Sequence, residues 1–244
     1  MSCLICYTAA EKIMAIYRQN DFSVTIKKDN SPVTEADFAA HHTITEGLLR
    51  LRPEIPVLSE EDAEISFTER QKWNRYWLVD PLDGTRDFVA HTDTFSVNIA
   101  LIDNQEPILG VITIPVTGES FYACAGKGAF KTAPGQNETR ISTKKMTDRT
   151  PIITVSGSRK GKVLENCLSR FDQYEIKYIG SSIKSCRVAE GAVDFYPCLG
   201  PTSEWDTAAG QCIVEQAGGA MTKMDCTRLA YNTKKSLTNP WFMA

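Results

Sequence analysis

Histidine and long apolar runs are scarce in this sequence. Its 244 residues include three His, which are too few for a metal site with several His ligands. No apolar run approaches the ~18 residues of a membrane-spanning helix, and the first basic residue is Lys12, so neither a transmembrane segment nor a signal peptide is predicted. We therefore expect a cytoplasmic protein, and peripheral attachment to the cytoplasmic face of the inner membrane stays open.

A surplus of positive charge is also missing. Lys and Arg total 27 against 30 Asp and Glu, so the formal net charge is −3. Modules that bind nucleic acid normally show a basic surplus, so no nucleic-acid partner is predicted. The hydrophobic share of 42% and the charged share of 23% are typical of a folded globular chain, which excludes disorder and collagen-like structure.

The eight cysteines do not form a recognisable framework. They are dispersed among apolar neighbours, which favours reduced core residues over disulfides. Cys3 and Cys6 form a C-x-x-C pair, but no strand precedes it and no second pair follows at the spacing of a zinc site. We interpret these two as helix residues facing the core.

Hydrophobic periodicity predicts helices and strands along the whole chain. Helices are predicted over residues 2–20 and 34–51, with a strand at 23–28 between them, and further strands at 76–80, 95–101, 107–115 and 119–124. After a polar stretch at 133–150, strands at 152–156, 175–179 and 193–196 alternate with helices at 162–171, 182–189 and 204–217. The pattern indicates an α+β first half, residues 1–140, and a layered α/β second half, residues 150–244.

Two carboxylates stand where a predicted strand ends. Asp80 and Asp83 can both face one point beyond the carboxyl end of that strand, and Gly84 and Thr85 then offer backbone N–H groups to an anion. Carboxylates beside an anion need a cation between them, and an all-oxygen ligand set selects Mg²⁺ or Mn²⁺. A D-x-x-D-G turn that only caps a helix is the alternative interpretation.

Further acidic residues occupy the ends of other predicted elements. Glu60 follows a short apolar run, while Asp37 lies three residues after Thr34 and Asp206 three after Ser203. A solvated loop explains the first, and a capping box explains each of the other two. Neither explanation accounts for the number of predicted helices and strands in one chain that begin or end with an acidic residue.

These segments carry a family resemblance. Residues 28–37, 58–62, 77–85 and 205–210 resemble the signature blocks of the inositol monophosphatase superfamily. Residues 180–184, Tyr196-Pro197 and 200–202 are similar to those of its 3′(2′),5′-bisphosphate nucleotidase branch, of CysQ type. The resemblance extends over nearly the whole chain. It implies a layered α-β-α-β-α sandwich of the sugar-phosphatase type, in which the two halves form one compact unit with the active site between them.

The resemblance implies a role for each matched position. Family members are Mg²⁺-dependent phosphomonoesterases that hold two or three ions, with Mn²⁺ as a substitute. The implied ion ligands are Glu60, Asp80, Asp83, Asp206 and the carbonyl of Leu82. Asp37 would act as general base beside the Thr85 hydroxyl. The implied substrate contacts are Glu60, Asp83, Gly84, Thr85 and Asp206, with Ser181, Ser182 and Lys184 at the second phosphate and the base.

The implied reaction is hydrolysis of the 3′-phosphate of adenosine 3′,5′-bisphosphate (PAP) to AMP, in sulfur assimilation. Conversion of adenosine 3′-phosphate 5′-phosphosulfate (PAPS) to adenosine 5′-phosphosulfate (APS) is a further expectation. An inositol-1-phosphatase is the nearest alternative, but the Glu that such enzymes carry at the position of Cys198 is absent. An inactive binding module is a second alternative, which the intact set of matched acids disfavours. The sequence leaves open a monomer or a homodimer.

The chain departs from the nucleotidase pattern at two positions. Arg159 stands where that pattern has His, and Cys198 stands where it has Arg. A thiol cannot replace a guanidinium, so a contact has to come from elsewhere. Our hypothesis is that Arg187, one helical turn beyond Lys184, supplies it.

Overall fold

Two helices pack side by side in the first part of the chain. The structure, a computed structural model, describes residues 1–19, 22–27, 31–145, 150–157 and 161–244. The first elements are α1 Ser2–Tyr17, β1 Val24–Ile26, β2 Pro32–Thr34 and α2 Glu35–Leu51. Helix α2 is buried at Ala36, Ala40, Ile44 and Leu48, in one hydrophobic cluster with the apolar side of α1, and the half-buried Leu51 packs against that cluster.

A seven-stranded sheet forms the centre of the molecule. Its strands, and the two short helices between them, are β3 Val57–Ser59, α3 Phe67–Arg70, β4 Arg75–Asp83, α4 Thr85–Val89, β5 Ser96–Asp103, β6 Glu106–Ile114, β7 Glu119–Cys124, β8 Gly128–Thr132 and β9 Thr139–Ile141. The strands lie side by side in chain order. The first pair, β3 and β4, is parallel and each later pair is antiparallel. The predicted run of strands in the middle region is confirmed.

The last third of the chain alternates short strands with helices. These elements are β10 Ile152–Val155, α5 Lys162–Leu168, β11 Glu175–Tyr178, α6 Ile183–Ala189, β12 Pro197–Cys198, α7 Glu204–Gln216, β13 Thr222–Lys223 and β14 Phe242–Met243. β10 and β11 form a parallel pair, and β12, β14 and β13 form a small antiparallel sheet. No helix in the described ranges is long and apolar enough to cross a membrane.

Helices cover both faces of the seven-stranded sheet. Because side chains alternate along a strand, Trp77 and Val79 of β4 point to one face, and Tyr76 and Leu78 point to the other. The first pair joins the hydrophobic cluster of α1 and α2, and the second joins that of α6 and α7. Burying each such large apolar side chain contributes roughly 1.5–3 kcal/mol. The predicted α+β layered architecture is therefore confirmed.

Helix α7 approaches the sheet with no side chain between the two backbones. A Cβ atom added to Gly110 of β6 would lie 2.4 Å from the carbonyl oxygen of Ala209 in α7. No real Cβ atom comes so close to a backbone oxygen, so this packing requires glycine at position 110. The first turn of α7 carries Asp206, and its distance from the sheet is set by this contact.

Several details of the chain differ from the sequence-based expectation. The strand predicted at 193–196 is reduced to one parallel bridge with β10, in which the Asp194 N–H donates to the Ile152 carbonyl oxygen and the Thr154 N–H donates to that of Phe195, each at 2.8 Å. Phe195 makes only an isolated bridge, and pairing begins at β12. β8 and β9 were not predicted, since short strands with polar side chains lack clear alternation. The division into halves 1–140 and 150–244 stays a prediction, although β9 lies inside the polar stretch taken as their boundary.

All eight cysteines are free thiols, and Cys6, Cys186, Cys198 and Cys212 are buried. Burial raises the pKa of Cys6 to about 12, so its thiol stays protonated and apolar at neutral pH. Cys6 lies on the inner face of α1, as the helical interpretation predicts.

A cluster of four charged side chains ties α6 to the sheet. Arg187 of α6 lies 2.8 Å from Glu119 of β7 and 2.6 Å from Glu190, and Lys131 of β8 contacts both acids. Burial alone would raise the pKa of Glu119, but hydrogen bonds and charge from Arg187 and Lys131 outweigh it and lower the pKa to about 2.

Replacement of Glu119 by Gln tests this cluster. Because the folded-state pKa is depressed, the ionised Glu119 stabilises the fold above pH 4.5, and this contribution is lost as pH falls toward 2. We expect Glu119→Gln to lower the free energy of unfolding by about 1–2 kcal/mol at pH 7, and by less at pH 3. Urea unfolding at the two pH values measures this. Glu46→Gln, which removes an exposed partner of Arg50, should have little effect at either pH; an equal loss in both variants contradicts the prediction.

Candidate functional site

The carboxyl end of β4 lies at the centre of the site. A break in the pairing of β4 with β5 falls between Asp80 and Asp83, and such a bulge redirects the side chains around it. Since β3 runs parallel to β4, the turn of 3₁₀ helix that follows β3 brings Glu60 to the same edge of the sheet. The sheet therefore assembles three of the predicted acids.

Two further acids begin helices. The backbone N–H of Thr34 donates to Asp37 Oδ2 at 2.7 Å, and that of Ser203 donates to Asp206 Oδ2 at 2.9 Å. Each acid is the third residue of its helix and forms a capping box. The structural explanation from the sequence is thus correct for both, but it is not the whole of their environment.

The Thr85 hydroxyl links three elements of the site. Thr85 Oγ1 lies 3.1 Å from Asp37 Oδ1 and 3.2 Å from the carbonyl oxygen of Leu82. The preceding Gly84 has a φ of +92°, a left-handed conformation that favours glycine, and its Cβ position is crowded by the backbone of Thr94. The Asp-Gly-Thr turn therefore aligns the end of β4 with the start of α2.

The acidic side chains line two neighbouring cavities. The one that we call the acidic cavity, of about 380 Å³, is bordered by Glu60, Asp80, Leu82, Asp83, Gly84, Thr85 and Asp206. The one that we call the main cavity, of about 270 Å³, shares Glu60, Asp83, Gly84, Thr85 and Asp206 with it and adds Ser181, Ser182 and Lys184. Asp37 lines neither cavity and reaches them through Thr85. The structure thus brings all the predicted site residues into one region.

Repulsion between these carboxylates is strong. Burial, and then the charges of Glu60, Asp83 and Asp206, raise the pKa of Asp80 well above its ordinary range. Burial and the charge of Asp83 do the same to the pKa of Asp206. Such a site favours a bound cation, because a cation relieves both the repulsion and the cost of burying charge.

Side chains of Lys27 and Ser182 also contact two of the acids. Lys27 Nζ lies 2.8 Å from Glu60 Oε1 and 2.7 Å from Glu61 Oε1. Asp83 Oδ2 accepts hydrogen bonds from both the N–H and the hydroxyl of Ser182, at 2.6 and 2.5 Å. Within the described ranges, no three His, Cys, Asp or Glu side chains are grouped as ready metal ligands. The donors are all oxygen and suit Mg²⁺, but binding an ion requires some of these side chains to exchange partners.

The predicted second-phosphate contacts are more enclosed than the sequence suggests. Lys184 is 3% exposed, and its Nζ donates to the carbonyl oxygen of Ser181 at 2.5 Å and lies 5.1 Å from the ring centre of Tyr196. Ser182 is 4% exposed and receives a hydrogen bond from Asn98 at 2.9 Å. These side chains form the wall of the main cavity.

The hypothesis that Arg187 compensates for Cys198 is wrong. Cys198 lies between the main cavity and a third one, whereas Arg187 lines none of them, because Glu119 and Glu190 hold its guanidinium. Arg159 falls outside the described residues. Sequence reasoning missed Lys27, just before the first signature block, and Arg86, which directly follows Thr85 and lines the main cavity.

Comparison with known proteins identifies the family. The family model described as the inositol monophosphatase family matches residues 2–243. The chain belongs to the inositol monophosphatase family. Its sequence is 42% identical to the 3′(2′),5′-bisphosphate nucleotidase CysQ of Escherichia coli (strain K12), over 98% of this chain and 96% of that protein. Identity to the protein of the same name in Haemophilus influenzae is 40%, over 98% and 89%.

Solved structures of family members have the same fold. The crystal structure of CysQ from Bacteroides thetaiotaomicron matches with a TM-score of 0.86 and 36% identity, over all of this chain and 95% of that one. An IMPase of Thermotoga maritima matches with a TM-score of 0.80 and 26% identity, over 99% and 89%. The resemblance that the signature blocks predict is confirmed.

Replacement of Asp80 by Asn tests the electrostatics of the site. The amide oxygen of Asn keeps the hydrogen bond from the Leu82 N–H, seen at 3.1 Å, but removes one of the repelling charges. We therefore expect Asp80→Asn to melt at a higher temperature than wild type in metal-free buffer and to gain less from added Mg²⁺. Thermal unfolding with and without Mg²⁺ measures both effects. A variant that is less stable without metal and equally stabilised by it contradicts this account.

Proposed function

We propose that this protein is a Mg²⁺-dependent phosphomonoesterase that converts adenosine 3′,5′-bisphosphate to AMP and phosphate. Family membership and the names of relatives 40–43% identical over nearly their whole length support this proposal. The single observation that carries the choice of substrate is the third cavity, which we call the apolar cavity. It has about 200 Å³, and its lining includes Val155, Leu164, Pro197 and Leu199.

The apolar cavity adjoins the main cavity. The two share Ser156, Tyr196 and Cys198 in their walls. A nucleotide has a flat apolar base beside its phosphates, and these two cavities offer a place for each. Inositol 1-phosphate, which carries hydroxyls all round its ring, has no apolar part to fill the second cavity. The neutral Cys198 also lacks the charge with which a carboxylate would bind inositol hydroxyls.

Residues of the acidic cavity would hold the ions. Glu60, Asp80, Asp83, Asp206 and the Leu82 carbonyl supply the oxygen ligands for two or three Mg²⁺, and Mn²⁺ suits the same donors. Bound Mg²⁺ would neutralise charge on the phosphate and make water more acidic. Glu60, Asp83 and Asp206 border the main cavity as well, so the same side chains would also face the substrate.

Asp37 would act as the general base. Its Oδ1 faces Thr85 Oγ1, and a water held by these two groups would pass its proton to Asp37 as its oxygen attacks phosphorus. The bond from phosphorus to the ribose 3′-oxygen then breaks, and that oxygen takes up a proton. Backbone N–H groups of Gly84 and Thr85 would bind the phosphate oxygens. Burial raises the pKa of Asp37, which makes it a better proton acceptor than an exposed carboxylate.

The second half of the substrate would contact the start of α6, which lies beside the Asp83–Gly84 turn. Ser181, Ser182 and Lys184 border the main cavity there, although Ser182 and Lys184 already have protein partners. Removal of the same 3′-phosphate from PAPS, to give APS, needs no further group at the reacting end. Either reaction would remove by-products or intermediates of sulfur assimilation.

Two substitutions separate the base from the ligands. Asp37→Asn keeps the shape of the side chain but cannot accept a proton, so kcat should fall roughly 10²–10⁴-fold with little change in Mg²⁺ requirement. Asp83→Asn should instead raise the Mg²⁺ concentration for half-maximal activity. Steady-state kinetics across a Mg²⁺ titration measures both. If both variants only raise the Mg²⁺ concentration needed for half-maximal activity, the assignment of Asp37 as base is wrong.

A direct assay tests the activity. Purified protein is given adenosine 3′,5′-bisphosphate or inositol 1-phosphate, with Mg²⁺ and with a chelator, and released phosphate is measured. We expect Mg²⁺-dependent turnover with a clear preference for the nucleotide. Activity in the chelator would contradict the metal-dependent mechanism, and a preference for inositol 1-phosphate would contradict the substrate. No turnover of either would favour the inactive binding module.

A further inference from the structure

One basic side chain at the main cavity has no partner among the side chains that the structure describes. Arg86 lies in the first turn of α4, is exposed, and borders the main cavity. Across the ranges that the structure covers, its guanidinium makes no ion pair and no hydrogen bond. Other arginines of the chain, such as Arg75 and Arg228, lie against carboxylates. Arg86 is therefore available to a ligand.

Lys184, the second cation among the described residues that line this cavity, is less available. The ammonium group of Lys184 donates to Ser181, faces the ring of Tyr196, and is buried with its residue at 3% exposure. It can approach a ligand only by giving up that hydrogen bond. Lys27 pairs with Glu60 and Glu61, and Arg187 is held by its own acidic partners.

A nucleoside bisphosphate needs a cation at this place. Each phosphomonoester carries a charge of about −1.5 to −2 at pH 7. Ions at the acidic cavity would neutralise the phosphate that reacts, but not the second phosphate. Cys198 contributes no charge, and Asp87, which also borders the main cavity, adds a repelling one. A free guanidinium on the same wall can offset this, and its planar fork matches two phosphate oxygens.

Resting on the proposed function, we propose that Arg86 binds the second, non-reacting phosphate of the substrate. It would thereby select nucleoside bisphosphates over monophosphates. Gly84, Thr85 and Arg86 follow one another and line the same cavity. A ligand whose reacting phosphate lies at Gly84 and Thr85 therefore has its other groups in the cavity that Arg86 borders.

Lys162 is the competing candidate. It is exposed at the start of α5 and borders the apolar cavity. A phosphate bound to Lys162 would occupy the apolar cavity, whose lining is better suited to the base. The test therefore includes both residues.

The experiment compares Arg86→Gln, Lys162→Gln and a matched control, Arg50→Gln, whose guanidinium is on the exposed side of α2. Turnover of adenosine 3′,5′-bisphosphate and of adenosine 3′-phosphate is measured for each, together with inhibition by AMP and by inorganic phosphate. AMP carries only the second phosphate, and inorganic phosphate reports the reacting end. Melting temperatures verify that each variant is folded.

For Arg86→Gln, we expect kcat/KM for the bisphosphate to fall roughly 10–100-fold and inhibition by AMP to weaken by a similar factor. Turnover of adenosine 3′-phosphate and inhibition by inorganic phosphate should change far less, and Arg86→Lys should recover part of the loss. Arg50→Gln should behave as wild type.

Three results would overturn the inference while leaving the proposed function intact. The first is that Arg86→Gln keeps the wild-type preference for the bisphosphate over adenosine 3′-phosphate. The second is an equal loss of turnover for both nucleotides, which would place Arg86 at the reacting phosphate. The third is that Lys162→Gln, and not Arg86→Gln, selectively loses turnover of the bisphosphate. Failure of the wild type to hydrolyse the bisphosphate would instead overturn the proposed function itself, and with it the inference.

Discussion

Mutual repulsion between buried carboxylates is the constraint on which this site depends. Asp80 and the half-buried Asp206 lie beside Glu60 and Asp83, and burial, followed by the negative charges of these two neighbours, raises the pKa values of both. In the unfolded chain, these carboxylates would be free to move apart. The fold prevents this by attaching each acid to rigid backbone: a strand end with a bulge, the turn after a parallel strand, and the first turn of α7. In the proposed function, a bound cation would relieve this repulsion.

The same hydrogen bonds serve folding and the site. In Asp37 and Asp206, one carboxylate oxygen caps a helix, which limits the rotation of the side chain, and the other oxygen of Asp37 accepts from Thr85. Ser182 likewise serves both the fold and the site, since its hydroxyl hydrogen-bonds to the Asp83 carboxylate and to the backbone carbonyl of Asp206. A structural explanation for such a residue is therefore no argument against a functional one.

Sequence reasoning succeeded where the signal was local or periodic. The burial of α2, the strands of the middle region and the acid at each element end all follow from spacing. It failed where partners come from distant parts of the chain. Arg187 has suitable spacing from Lys184, yet Glu119 on β7 determines where it lies. The enclosure of Lys184 and the free guanidinium of Arg86 likewise depend on the packing of α6 and α4, which no local pattern records.

The contact between Gly110 and Ala209 determines how close α7 lies to the sheet. Because the backbones of β6 and α7 touch, the helix cannot move nearer to the sheet, and any larger residue at 110 would push it away. Asp80 belongs to the sheet and Asp206 to the helix, so the gap between their carboxylates varies with that spacing. The approach of these two carboxylates thus depends on a position that bears no polar side chain and lines none of the three cavities.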